Sequence, residues 1–67
     1  MDSETNRILN FLASAGPYAN STCTPKQLDE IMGATGGQIL AQGRLYEIVP
    51  KQLSRNVHKL TIKLVNP

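Results

Sequence analysis

The sequence has few of the side chains that catalytic and metal sites need. Its 67 residues include one histidine, one cysteine and no tryptophan. His58 has no second histidine or cysteine at the spacing of metal ligands, and Cys23 has no basic neighbour in sequence that would hold it as a thiolate. Asp29 and Glu30 are adjacent on a predicted helix and point in different directions, so they do not form an acid/base pair. We therefore expect no enzymatic activity, no cofactor and no metal.

Length and the scarcity of cysteine set further limits. A chain of 67 residues forms one domain, residues 1–67, and buries only about 60% of the surface that its unfolded form exposes. A single cysteine excludes an intramolecular disulfide, the usual reinforcement of small secreted domains. The first residues are polar and acidic rather than arranged as a signal peptide, and no apolar run is long enough to span a membrane. These features favour a cytoplasmic location.

Acidic residues are absent from the sequence after Glu47. Residues 1–43 contain two basic and four acidic side chains, whereas residues 44–67 contain five basic side chains against that one acid. The net charge of +2 therefore combines a basic C-terminal part with a mildly acidic N-terminal part. A basic part on a small domain is typical of nucleic-acid binding, although an acidic protein surface would be attracted by the same field.

The first predicted helix spans residues 3–15. Apolar side chains recur there at helical spacing, either Ser3 or Asp2 can cap the N-terminus, and Gly16-Pro17 ends the helix. Residues 18–23 have no periodicity and are rich in small polar side chains, so we interpret them as a loop.

The second predicted helix begins with the clearest local signal in the sequence. Thr24 supplies a hydroxyl N-cap, Pro25 follows at the first helical position, and Gln27 stands where its side chain can bond back to the cap. Gly33 is a residue that commonly closes such a helix. We expect a short helix of about nine residues.

A third helix is predicted over residues 50–60, with Pro50 in its first turn. Helical spacing places Leu53, Val57 and Leu60 on one face, which we interpret as the core face, and Leu64 continues it. The basic side chains recur every four residues and form a stripe on roughly the opposite face. The candidate DNA-binding residues are Lys51, Gln52, Ser54, Arg55, Asn56, Lys59 and Lys63.

Two segments keep alternative interpretations. Residues 37–46 can be a helix that Gly43 weakens or a loop, while the β-branched and aromatic side chains of residues 44–49 are compatible with a short strand. Residues 60–65 alternate between apolar and polar, as a half-buried strand does, yet no turn residue separates them from the preceding predicted helix. Periodicity does not decide between helix and strand in either segment.

The expected fold class is mostly α, a small helix-turn-helix domain of three to four helices, with or without a short two-stranded β element at about 44–49 and 60–65. Thr24-Pro25-Lys26-Gln27-Leu28 and the later Leu53-Ser54-Arg55-Asn56-Val57-His58-Lys59-Leu60 resemble the helix-turn-helix core of winged-helix domains. They are similar in particular to the small modules appended to phage and plasmid primase-helicases, over residues 24–60. One departure is the long connection at 33–49, where a simple helix-turn-helix has about 3–4 residues.

This resemblance implies a DNA-binding module of a phage or mobile-element replication or regulatory protein, with duplex favoured over single strand as the ligand. A larger replication or regulatory protein is a further partner that it implies. The alternative is a protein-interaction module or small inhibitor that uses the same basic face on an acidic partner. A third interpretation, a structural fragment of a larger protein, also stays open.

Overall fold

The computed structural model of the protein describes residues 3–65, which form two helices and four strands. In chain order they are α1 (Ser3–Ala15), β1 (Ser21–Cys23), α2 (Pro25–Thr35), β2 (Gln38–Ala41), β3 (Arg44–Ser54) and β4 (Val57–Leu64). The strands form an antiparallel sheet in the order β1-β4-β3-β2. The fold is therefore α+β, and the expectation of a mostly α helix-turn-helix domain is wrong.

The first helix is confirmed at Ser3–Ala15. Ile8 and Leu12 face the core, as their helical spacing predicts. Gly16 ends the helix with a positive φ of 84°, and its N–H donates to the carbonyl of Leu12 at 3.0 Å. Asp2, the other candidate for the N-cap, lies outside the described residues.

The start of α2 is also confirmed, but its end is not where we predict it. Thr24 and Gln27 form the capping box, and the helix continues through Gly33 to Thr35. Gly36 closes it with a φ of 66°, and its N–H donates to the Met32 carbonyl at 2.9 Å. A glycine within a helix costs only about 1 kcal/mol relative to alanine, so Gly33 weakens this helix without ending it.

Residues 50–60 form the end of the β3–β4 hairpin, so the predicted basic helix is wrong. Pro50 pairs with Leu60 and Gln52 with His58, and a two-residue turn follows Ser54. The decisive local pattern is the period of two: Leu60 and Ile62 are both buried, whereas a helix would turn Ile62 toward the basic face. The strand alternative for residues 60–65 is confirmed over most of that segment, and the strand also reaches back to Val57.

Strands replace predicted helix or loop at two further places. Residues 38–41 form β2 rather than the start of a helix, because Gln42 and Gly43 adopt φ values of 54° and 74° and close a tight turn into β3. Two positive φ values are typical of the turn that joins paired antiparallel strands. The strand alternative for residues 44–49 is confirmed within β3. Residues 21–23, which we predict as loop, pair with β4 as β1.

Both helices pack on the same face of the sheet, here called the inner face. Tyr46, Ile48, Leu60 and Ile62 project from β3 and β4 into the core on this side. The helices also contact each other through a buried Thr5, whose hydroxyl donates to a carboxylate oxygen of Glu30 at 3.1 Å. Neither helix is long and apolar enough to cross a membrane. The opposite, outer face of the sheet carries the odd-numbered residues of β4 and those of β3 as far as Lys51; the register then shifts between Gln52 and Ser54, and Ser54 pairs with Val57.

Candidate nucleic-acid interface

Residues 50–60 form a projecting part of the sheet, here called the basic arm. β2 pairs with β3 only over residues 44–47, and β1 pairs with β4 only over residues 58–60. β3 therefore extends past β2, whereas β4 extends past β1 only at Val57, and every residue from Pro50 to Val57 is exposed. Strand pairing positions these exposed residues, while Leu60, at the base of the arm, is buried in the core.

Lys51 and Lys59 lie directly opposite each other on the outer face of the arm. Directly opposed residues of an antiparallel pair have Cβ atoms about 4.5–5.5 Å apart, and like charges at that position destabilise a sheet. No acidic residue lies within the arm, and Arg55 adds a third positive charge at its turn. The pairing therefore concentrates positive charge where a phosphate or carboxylate would relieve the repulsion.

The remaining lysine of the predicted set is in a different electrostatic setting. Lys63 lies on the same outer face, further from the turn, and pairs directly with Glu47. Thr22 of β1 pairs with Lys59 and thereby extends the row of Lys51 and Lys59 across a third strand. The unbalanced positive charge thus lies toward the turn of the arm.

The predicted polar contact residues do not share one surface. Gln52 pairs with His58, so its side chain lies on the inner face of the hairpin, opposite to Lys51. Ser54 and Asn56 flank Arg55 at the turn. The structure therefore brings Lys51 and Lys59 together, gathers Ser54 and its two neighbours at the tip, and separates Gln52 from the lysines.

Two residues that we predict to be buried are exposed on the arm. Leu53 is 53% exposed and Val57 is 36% exposed, whereas Leu60 of the same predicted core face is completely buried. The expectation that Leu53 and Val57 face the core is wrong, because it rests on helical spacing. The alternation of residues 57–64 is the sequence signal that could place them correctly, since it puts Val57 and Leu60 on opposite faces.

Cys23 and His58 pair directly on the inner face, at the base of the arm. Burial raises the pKa of the Cys23 thiol above its ordinary value of 9.0, which keeps it protonated and makes it a poor nucleophile near neutral pH. The Nδ1 atom of His58 is buried and has no hydrogen-bond partner among the described residues. Residues 3–65 contain no group of three or more potential ligands from His, Cys, Asp and Glu.

An open groove of about 550 Å³ lies between α1 and β1. Its lining includes Arg7, Phe11 and Thr22, and its carboxylate comes from Glu4. No histidine or cysteine lines this groove, and its hydroxyl groups come from Ser21 and Thr22. The groove is separate from the turn of the basic arm.

Comparison of the chain with known protein families, with curated proteins and with solved structures finds no match.

Proposed function

We propose that this protein binds nucleic acid, duplex DNA in particular, through the basic arm. The observation that carries the proposal is the direct pairing of Lys51 with Lys59, two like charges on a projecting hairpin whose turn holds Arg55. Such a pair is unfavourable for folding alone, and a bound phosphate reverses its contribution. The absence of acidic residues after Glu47 leaves this charge without neutralisation from the same part of the sequence.

The shape of the arm fits a duplex. The major groove of B-DNA admits a two-stranded β-ribbon as well as an α-helix, and several DNA-binding proteins insert strands there. In this arrangement Arg55 and Asn56, at the turn, reach toward base edges, while Lys51 and Lys59 contact the phosphates beside the groove. The hairpin thereby takes the role that we predict for a helix.

The positions of the aromatic side chains favour duplex over single-stranded nucleic acid as the ligand. Single strands are commonly held by stacking of bases on exposed aromatic rings. The three aromatic residues of this chain are Phe11, Tyr18 and Tyr46. Phe11 lies on α1, Tyr18 lies in the loop before β1, and Tyr46 is buried in the core, so none of them belongs to the arm.

The proposal is of a binding module rather than an enzyme, acting in the cytoplasm. Its cysteine is single, free and buried, which suits a reducing compartment. We extend the proposal to DNA replication or its regulation in a mobile element, alongside a larger protein of that machinery, on the sequence resemblance to modules of phage and plasmid primase-helicases. The recognition helix of that resemblance has no counterpart here, because residues 53–60 lie in the β3–β4 hairpin.

An acidic protein partner is the second candidate, and a specific observation favours it. Leu53 and Val57 are exposed on the same hairpin as the lysines. Apolar side chains bordered by positive charge form a surface to which an acidic amphipathic segment can bind. DNA remains the first proposal because Lys51, Arg55 and Lys59 lie toward the turn with no acidic residue in the arm, an arrangement that suits phosphate binding.

The proposal is tested by fluorescence anisotropy with labelled random duplex across a salt series. If three basic side chains of the arm each contact about one phosphate, log K against log salt has a slope of about −3. Arg55→Ala then flattens the slope by about one unit, and Asn56→Ala, which removes no charge, leaves the slope unchanged.

Circular dichroism of each variant confirms that it is folded. Absence of binding to duplex at low salt would refute the proposal, as would binding of equal strength by a folded Arg55→Ala variant. A tighter complex with single strand would correct the ligand while keeping the arm as the site. If the arm binds an acidic peptide and no nucleic acid, the second candidate function, binding of an acidic protein, replaces the first.

A further inference from the structure

The sheet has two edge strands, and they differ in what they offer to another strand. β1 is three residues long, and the residue after it, Thr24, has its backbone N–H and carbonyl engaged by the start of α2. β2 is four residues long and contains neither a charge nor a proline. Charged side chains, proline, bulges and very short strands are the usual means by which proteins prevent edge strands from pairing with other chains. Of these, β2 has only its short length.

The hydrogen bonds across the β2–β3 pair show which backbone groups of β2 are free to bond outward. Ile48 donates its N–H to the carbonyl of Gly37 at 2.8 Å, and Ile39 and Tyr46 are paired two residues further along β2. Bonding alternates along an antiparallel pair, so Gly37, Ile39 and Ala41 bond to β3. The N–H and carbonyl groups of Gln38 and Leu40 therefore point away from the sheet.

The corresponding part of β3 shows the contrast. Val65 donates to the carbonyl of Leu45 at 3.0 Å, so odd-numbered residues of β3 bond to β4 and even-numbered residues point toward the β2 side. Pro50 is even-numbered and lies past the end of β2, so its nitrogen, which carries no hydrogen, faces the open edge. β3 is thus closed to strand addition where β2 no longer covers it.

The side chains around the open edge are apolar. Leu40 is 72% exposed, Leu45 pairs with it on the outer face, and Val65 lies next to Leu45 in the same row. Leu45 and Val65 are 36% and 37% exposed. An uncharged apolar row that ends at an open strand edge is a surface for association rather than for solvent.

We propose that two copies of this chain associate by antiparallel pairing of their β2 strands about a two-fold axis. Centred on Ile39, this pairing sets Gln38 of each copy opposite Leu40 of the other, and both residues carry the outward-pointing backbone groups. The two sheets become one continuous sheet. The row of Val65, Leu45 and Leu40 then meets Gln38 of the second copy, and the two Leu40 residues become diagonal neighbours, about 7–8 Å apart.

The distribution of charge favours a second copy over another occupant. Nucleic acid or an acidic protein is attracted to Lys51, Arg55 and Lys59, which lie toward the other end of β3 and β4. A second copy brings an uncharged edge to an uncharged edge. Because paired β2 strands run antiparallel, the two basic arms point in opposite directions, so their like charges stay apart.

Sedimentation velocity of the protein without nucleic acid tests the inference over about 1 µM to 1 mM, because an interface this small gives a weak dimer. We expect the weight-average sedimentation coefficient to rise from the monomer value to the dimer value across that range. Leu40→Pro removes an outward N–H and keeps every β2–β3 bond, so it should remain monomeric and folded. Leu53→Lys, an exposed leucine on the basic arm, is the matched control and should dimerise as the parent does.

A second variant and a second measurement keep the inference testable if Leu40→Pro unfolds. Leu40→Lys places a charge at the edge and should also be monomeric. In the parent, amide hydrogen exchange of Gln38 and Leu40 should slow by at least about tenfold on concentration, while that of Ile39 stays constant. A parent that is monomeric at the highest concentration, or a dimer that folded Leu40→Pro and Leu40→Lys variants retain, would overturn the proposal.

Discussion

Thr24 and Gln27 satisfy each other's backbone groups at the start of α2. The N–H of Gln27 donates to Oγ1 of Thr24 at 3.2 Å, and the N–H of Thr24 donates to Oε1 of Gln27 at 2.9 Å. Thr24 also follows β1 directly, so this capping box holds the only junction in residues 3–65 where a strand passes into a helix.

We therefore expect Thr24→Ala to destabilise the protein by about 1 kcal/mol, the usual effect of losing a hydroxyl N-cap. Urea denaturation followed by circular dichroism measures the change. Thr24→Ser keeps the acceptor oxygen and is the control, which should unfold close to the parent midpoint. Equal midpoints for the alanine variant and the parent would contradict a contribution of the cap to stability.

Leu60 and Val57 lie on opposite faces of β4, and substitutions there should differ in effect. Leu60 is completely buried, so Leu60→Ala should cost about 2–5 kcal/mol through lost burial and a cavity. Val57 is exposed on the arm, so even Val57→Asp should change the free energy of unfolding by less than about 0.5 kcal/mol. An unfolded Val57→Asp variant would contradict the exposed position of Val57.

Substitution of Lys51 by glutamate should raise the stability of the protein and lower its affinity for DNA. Lys51→Glu replaces the like-charge pair with Lys59 by an opposite-charge pair, so the free energy of unfolding should rise by a few tenths of a kcal/mol, about the size of an exposed cross-strand pair. The same variant should bind duplex DNA much more weakly, because it loses one phosphate contact and gains a repulsive charge.

Thermal denaturation at low salt and anisotropy on the same sample measure the two effects of Lys51→Glu. Lys63→Glu is the comparison: it creates a like-charge pair with Glu47 and should lower stability instead. A loss of stability in Lys51→Glu would show that the two lysines do not repel each other in the folded protein.

Alanine substitutions of Gly33, within α2, and of Gly36, its C-cap, should change the free energy of unfolding in opposite directions. Gly33 lies within the helix, and a Cβ at that position meets no atom within 4 Å, so Gly33→Ala should stabilise the protein by about 0.5–1 kcal/mol. Gly36 has a φ of 66°, which alanine adopts at a cost of about 1–2 kcal/mol. Urea midpoints of the two variants should therefore lie on either side of the parent midpoint, and a common direction would contradict the assigned end of α2.

The elements that are specified by contacts between residues close in sequence were predictable from the sequence. The capping box at Thr24 and the amphipathic pattern of residues 3–15 each specify a helix through local contacts, and both helices are present. Residues 50–60 satisfy two periods at once: steps of three and four align Leu53, Val57 and Leu60, while steps of two align Leu60 with Ile62. The two halves of this segment pair with each other as a hairpin, and pairing of residues 58–60 with β1, which is distant in sequence, also selects the strand.

The basic side chains of the arm could be read from the sequence, but their arrangement could not. Lys51 and Lys59 belong to a stripe at intervals of four in a helix, and they belong to one outer face in a hairpin that turns at Arg55. The same charges therefore share one face in either structure. Gln52 moves to the opposite face, because strand pairing assigns faces by alternate residues.

The position of the basic arm beyond the core has a consequence for the evolution of this protein. The buried side chains of the hairpin, Tyr46, Ile48, Leu60 and Ile62, all lie at or below the level of Pro50, and residues 51–57 contact solvent. Changes of sequence at the turn therefore leave the packed interior and the helices in place. Under the proposed function, substitutions at the tip can change ligand preference at a small cost in stability, because they remove no buried contact.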